Sequence, residues 1–345
     1  TIHSFCAALL REHCHACGLP PQFKIADDDR IAVMKSAALE RVLDRYYENV
    51  DAHPGFALLA DTVGAGRDDR RLGTLVLTLH DKMQCHARPE QWAAQQVELL
   101  ALDGVTDAGA TPWGRSLLAR VRESAAHWAG VLDEQLSIMA AHDMEWLYGI
   151  YGTSFGSTAA GLRAVVRACN QSWDTAVAAL QDVPFPRLGS TRKPPDPDVR
   201  DRVKAQRDAA KKAIQTLQKQ INIPSAQALA DLHATAPAMR ALLALTLDFG
   251  AAYAAEKRRR SLVDFSDLEH MTAQLLTDED GAPTELARQL SGRYTEIMVD
   301  EYQDVSEVQD LIFRAVSRGG SNLFFVGDVK QSIYRFRLAD PTIFL

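Results

Sequence analysis

The stretch EIMVDEYQDV, residues 296–305, sets large apolar residues against Asp300 and Glu301 and continues as acid and amide. An apolar run closed by Asp-Glu reads as a buried strand ending in a carboxylate pair. At such an end Asp300 can hold a hydrated magnesium ion bridging the β- and γ-phosphates of a nucleotide, and Glu301 can orient and deprotonate the attacking water. The bland alternative is a turn, because strand ends are often acidic. A second apolar run, NLFFVGD at 322–328, also ends in acid, and VGDVKQSIYRFR carries on beyond it. There Gln331 could sense a γ-phosphate without contributing charge. Tyr334 and Phe336 could stack bases while Arg335 or Arg337 pairs with phosphate, which is how single strands are held without sequence preference. The alternative for Tyr334 and Phe336 is core aromatics, against which the surrounding Gln-Ser and two arginines weigh. A nucleotide sensor beside base-stacking aromatics is what ATP-driven movement on DNA requires.

The elements that must position these groups follow from periodicity. TIHSFCAALLR has a helical apolar rhythm at Phe5, Leu9 and Leu10, stopped by Gly18-Leu19-Pro20-Pro21, and QFKIA predicts a short strand. From about Ser36 to Leu247 the pattern is helical, broken by the Pro-rich loop VPFPRLGSTRKPPDPD at 183–198. After about residue 261 helix and strand alternate. SDLEHMTAQLL predicts a helix with Asp264 or Ser266 as N-cap, EIMVD a buried strand, and NLFFVGD another. Between those strands, Asp304 and Glu307 have capping-box spacing, and Val305, Val308, Leu311, Ile312 and Val316 form the inward stripe of a helix reaching about Ser317. Unpunctuated strands alternating with helices predict a parallel sheet covered on both faces, whose ligands bind at the carboxyl ends of the strands.

Composition bounds the rest. The chain has 345 residues, 47% hydrophobic and 24% charged, enough for a real core and more readily two domains than one. No stretch supplies the roughly 18 uncharged apolar residues a membrane helix needs, so no membrane partner and a cytoplasmic location are expected. Five cysteines, at 6, 14, 17, 85 and 169, lack framework spacing and predict reduced thiols. In HCHACG, residues 13–18, two His and two Cys lie too close on one helix to converge on one tetrahedral ion, so ordinary helix residues are expected. The net charge of −7 counts against nucleic-acid binding, but its distribution is uneven. Arg187 to Lys219 holds ten Lys or Arg against four Asp, and KRRR at 257–260 is a second basic cluster; either could equally be a solvated helix face.

IMVDEYQDVSEVQ and LFFVGDVKQSIYRFRLADPTIF resemble, over most of their length, the carboxylate and sensor motifs of the UvrD/RecB superfamily of DNA helicases, and within it look most like the AddA helicase–nuclease subunits of break-repair complexes. TIHSFCAALLR resembles that superfamily's early DNA-contacting motif, and LVDFSDLE the segment before the carboxylates. Val329-Lys330, Phe336-Arg337 and FRLADP depart from stand-alone UvrD-type helicases, which tend to have a second acid after GD, a Trp before the last Arg, and RGA. The resemblance implies ATP and Mg2+ as cofactors, Asp300 as the magnesium ligand, Glu301 as catalytic base, and Gln331 coupling the γ-phosphate to the DNA site. It implies Tyr334, Phe336 and Arg337 on single-stranded DNA, and Thr1, His3 and Phe5 along the DNA path; for His3 a satisfied helix-start histidine is the alternative. It also implies an α/β fold: an incomplete RecA-like P-loop NTPase sheet from 1–32 and 249–345, with an all-α accessory domain, 33–248, inserted. DNA ends as substrate, single-stranded and duplex, and a heterodimeric partner in the form of an AddB-like nuclease follow from the same resemblance.

No GxxxxGK[ST] loop occurs in the sequence; GAGRDD at 64–69 lacks the lysine. With Thr1 in place of Met, this predicts an internal fragment whose phosphate cradle lies upstream and whose second motor and nuclease domains lie downstream, inactive as an ATPase by itself. Two other readings remain: a stand-alone UvrD-like repair helicase without nuclease, and a non-hydrolytic DNA-binding scaffold that kept the sheet and lost the phosphate loop.

Overall fold

In a computed structural model, which describes residues 1–64, 70–141, 143–190, 194–328 and 330, the chain is mostly helical with short parallel strands. It forms two compact units, one from 1–98 with 236–345 and one from 99–235.

The N-terminal part of the first unit is α1 (Ile2–Glu12), β1 (Lys24–Ile25), α2 (Asp28–Glu48), α3 (Phe56–Gly64), α4 (Arg70–Met83) and α5 (Pro89–Leu99). Thr1 caps α1 through its hydroxyl, and Asp27 caps α2 by accepting from the Arg30 N–H at 2.9 Å. The HCHACG segment is turn rather than helix: α1 ends at Glu12, and Gly18 takes φ +63°, a left-handed conformation that closes the reversal. Cys14 is buried there with Cys6, Leu9 and Leu10. Among the described residues no group of three or more metal-ligating side chains comes together.

The second unit holds α6 (Pro112–Met139), α7 (Glu145–Ala168), α8 (Trp173–Gln181) and α9 (Pro197–Gln220). Thr111, Ser172 and Asp196 cap α6, α8 and α9, and Pro opens α6 and α9 where its missing N–H has no helical partner to lose. The core is aromatic and aliphatic: Leu132, Leu147, Tyr151, Phe155, Leu162, Val165, Trp173 and Ile214. On α9, Arg207 is buried, its guanidinium over Phe155 and Phe185 and donating to the Pro186 carbonyl, whereas Arg202, Lys204, Lys212 and Lys219 are exposed. The basic stretch therefore divides into a buried anchor, Arg207, and exposed side chains.

Helix α10 (Ser225–Arg259) carries Pro237 within it. It is long and apolar enough to cross a membrane by length and composition, but Leu242, Leu245, Phe249 and Tyr253 are buried in a core with Met34, Tyr46, Phe56 and Val76. After it come β2 (Leu262–Val263), α11 (Phe265–Leu276), α12 (Glu285–Ser291), β3 (Ile297–Val299), α13 (Glu307–Ala315) and β4 (Leu323–Phe325). β1 pairs parallel with β2, and β3 parallel with β4 in the register Ile297↔Leu323, Met298↔Phe324, Val299↔Phe325.

Two expectations are corrected here. β3 and β4 are half covered rather than buried: Ile297 packs on the core of α1, α11 and α13, while Met298 is 70% exposed and its partner Phe324 61%. Among the described residues they pair only with each other, and the alternate side chains Met298 and Phe324 point to an exposed face. The cap of α13 is Ser306, accepting from the Gln309 N–H, not Asp304, because Tyr302–Asp304 closes a separate 3-10 turn first. The inward stripe holds: Val308, Ile312 and Val316 are buried.

Within KRRR only Lys257 turns inward, while Arg258, Arg259 and Arg260 are exposed. Lys257 is buried, with Nζ 2.8 Å from Asp264 and 2.6 Å from Asp267, and lies 4.2 Å from the centre of the Tyr253 ring. Asp264 caps α11 in a reciprocal box with Asp267. Burial disfavours the Asp264 carboxylate, but Lys257 outweighs it and holds the group below its usual range, whereas Asp267 is raised by burial and by the Asp264 charge. Arg259 and Arg260 both bind the covered Glu256.

Candidate nucleotide-hydrolysis site

β3 delivers Asp300 and Glu301 to solvent at its carboxyl end. The Glu301 N–H donates to Asp300 Oδ1 at 2.9 Å, and Glu301 itself adopts φ +52°, ψ +42°, a left-handed conformation costly for a side-chain-bearing residue. That kink turns the chain directly into the Tyr302–Asp304 turn.

The turn is pinned to the end of β4. Val326 N–H donates to the Val299 carbonyl and Tyr302 N–H to the Val326 carbonyl, each at 2.9 Å. The Tyr302 ring stacks on Phe325, 3.9 Å between centres, and its hydroxyl donates to Asp310 on α13. Burial, with the Asp310 hydrogen bond behind it, pushes the Tyr302 phenol up to about 12. Beside it Gln303 is buried; its Nε2 donates to Glu301 Oε2 at 2.5 Å and its Oε1 accepts from the Asp328 N–H at 2.9 Å. Gly327 permits this approach, since a Cβ there would stand 2.4 Å from Gln303 Oε1 and within 3.2 Å of two backbone nitrogens.

Of the residues expected at the site, Asp300 and Glu301 are adjacent and exposed. Gln331, Tyr334, Phe336 and Arg337 lie outside the described residues. Thr1 and Phe5 line a largely apolar hollow with Tyr294, Ile297 and Phe313. His3 is not among its walls: its Nε2 lies 2.9 Å from Glu269 Oε1, and its ring is 4.6 Å from Phe265. The same Glu269 oxygen accepts from Gln309 Nε2 at 2.6 Å, so a buried carboxylate joins α1, α11 and α13. Sequence reasoning passed over Gln303 and Glu269. Both sit inside the motifs named above, and the signal for each was a polar side chain at a position otherwise packed.

The family of the UvrD/REP helicase N-terminal domain matches residues 1–345. The chain belongs to that family. Among curated proteins this UvrD/REP helicase domain is 36% identical to the AddA-type ATP-dependent helicase/nuclease subunit of Acetivibrio thermocellus over 354 residues, which is all of this chain and 28% of that protein. Against the corresponding protein of Desulforudis audaxviator it is 36% identical over 357 residues, and against that of Syntrophomonas wolfei 33% over 347, covering all of this chain in both cases and 28% and 27% of those proteins. The helicase domain thus spans just over a quarter of the length of the curated relatives it matches.

Proposed function

We propose that this chain is part of an ATP-dependent DNA helicase of the AddA type, which unwinds DNA ends in double-strand break repair and moves on single-stranded DNA by hydrolysing ATP. The observation that carries this is the carboxylate pair at the end of β3, with Glu301 kinked outward and tied through Gln303 to the end of β4. Family membership supports it, as do relatives named as ATP-dependent helicase/nuclease subunits.

In this reading residues 1–32 and 249–345 belong to a RecA-like motor domain, with 33–248 as its inserted accessory part. Glu301 accepts the proton of the attacking water, its carboxylate exposed at the end of β3 and held by Gln303. Asp300 is the residue that would hold magnesium. An exposed carboxylate with hard oxygen donors suits that ion, which takes one or two such groups and fills the rest of its octahedron with water and phosphate oxygens. When bound, the ion neutralises the charge that develops on the phosphates. Gln331 couples the γ-phosphate to DNA bound by Tyr334, Phe336 and Arg337, and Thr1, His3 and Phe5 extend the DNA path. That the relatives are named as subunits supports a second chain, here an AddB-like nuclease partner.

The test is single-strand-stimulated ATP hydrolysis by the full-length polypeptide, wild type against Glu301→Gln. Loss of turnover by roughly 100-fold or more with ATP binding retained is expected of a general base; equal rates would remove DEYQD from the catalytic centre.

A further inference from the structure

The motor reading leaves Gln303 without a task, yet it is the most completely enclosed polar side chain at the strand ends, with 1% of its surface exposed. Its orientation is fixed by chemistry. The Asp328 N–H can only donate, so the amide oxygen must face it, and the amide nitrogen is left facing the Glu301 carboxylate, which can only accept. No flipped amide satisfies both neighbours. The side chain therefore spans from the carboxylate after β3 to the backbone after β4, in a space that Gly327 leaves open.

We infer that Gln303 is a positioning residue for ATP hydrolysis: it fixes the rotamer of Glu301 and makes the orientation of that carboxylate depend on the end of β4. An exposed glutamate on a left-handed residue has several rotamers open to it, and only some aim an oxygen at an attacking water. A donor held rigid by burial and by its own second hydrogen bond selects one of them. Movement of the Asp328 backbone pulls on Oε1, and the amide passes that displacement to Glu301 across a single planar group.

The inference rests on Glu301 as the base, and the experiment separates the two. In the full-length polypeptide, Glu301→Gln, Gln303→Met and Gln303→Glu are compared with wild type for single-strand-stimulated kcat and KM for ATP. Gln303→Met keeps the volume and loses both of these hydrogen bonds; Gln303→Glu keeps an acceptor for the Asp328 N–H and loses the donor to Glu301. Both Gln303 variants are expected to lose kcat on the order of 10- to 100-fold, with KM for ATP within roughly twofold of wild type. Wild-type kcat in both, or a loss shared by KM and nucleotide binding as misfolding would give, overturns the positioning role while an inactive Glu301→Gln leaves the base in place. Full turnover by Glu301→Gln overturns the base, and the positioning role with it.

Discussion

Glu301 occupies the left-handed region, which costs a residue bearing a Cβ roughly 1–2 kcal/mol. Such strain persists where surrounding structure enforces it, here the Tyr302 and Val326 backbone bonds. Glu301→Gly should therefore make the chain roughly 1 kcal/mol more stable to urea while abolishing ATP turnover in the full polypeptide, a stability gain with loss of function that an ordinary surface glutamate would not give. Gly327→Ala should act oppositely. The new methyl meets a backbone nitrogen as well as the Gln303 amide, and backbone cannot yield, so a cost of about 1–3 kcal/mol and a disordered Gln303 are expected in unfolding curves and a crystal structure. The carboxylate pair was legible in the sequence because residue type and adjacency alone define it. Gln303 was not, because its role depends on Gly327 and Asp328, which a different strand brings alongside.

At the scale of elements, the strand and helix order after residue 261 was readable from apolar runs, while the coverage of the strands was not. Met298 and Phe324 look like core residues, but their register puts both on the open face of the β3–β4 pair. Nor did the sequence announce that Lys257 faces inward, since a lysine in KRRR reads as surface until Asp264 and Asp267 fold back over it from α11. Removing one partner of a buried charge cluster leaves the others uncompensated. Lys257→Met should cost about 3–5 kcal/mol, and adding Asp264→Asn with Asp267→Asn should return part of it, because Asn still caps the helix. Denaturant midpoints of the single and triple variants decide this; no recovery would mean that packing against Tyr253 is the larger effect.

For the whole molecule, charge placement matters more than the net −7. Hydrogen bonds from Arg259 and Arg260 hold the Glu256 carboxylate near about 2, well below 4.5. A carboxylate depressed on folding adds stability that is fully present above pH 4.5 and fades as pH falls toward 2. Glu256→Gln should flatten the acid limb of a stability–pH curve in that window. On α9, reversing the exposed Arg202, Lys204, Lys212 and Lys219 should weaken DNA binding by the full polypeptide and reduce its salt slope if these residues meet phosphate; an unchanged slope would make them a solvated face. The division into units has a further consequence for synthesis. Unit 99–235 is one continuous segment, whereas the β1–β2 pairing of the other unit joins residues on either side of it. On a ribosome adding roughly 5–20 residues per second, α1 and β1 emerge and wait on the order of 10 s or more for β2. During that interval the apolar face of α1 is without the α11 residues it packs against, whereas α2 already has Phe56, Leu72 and Val76 beside it, so α1 is a segment expected to need a chaperone.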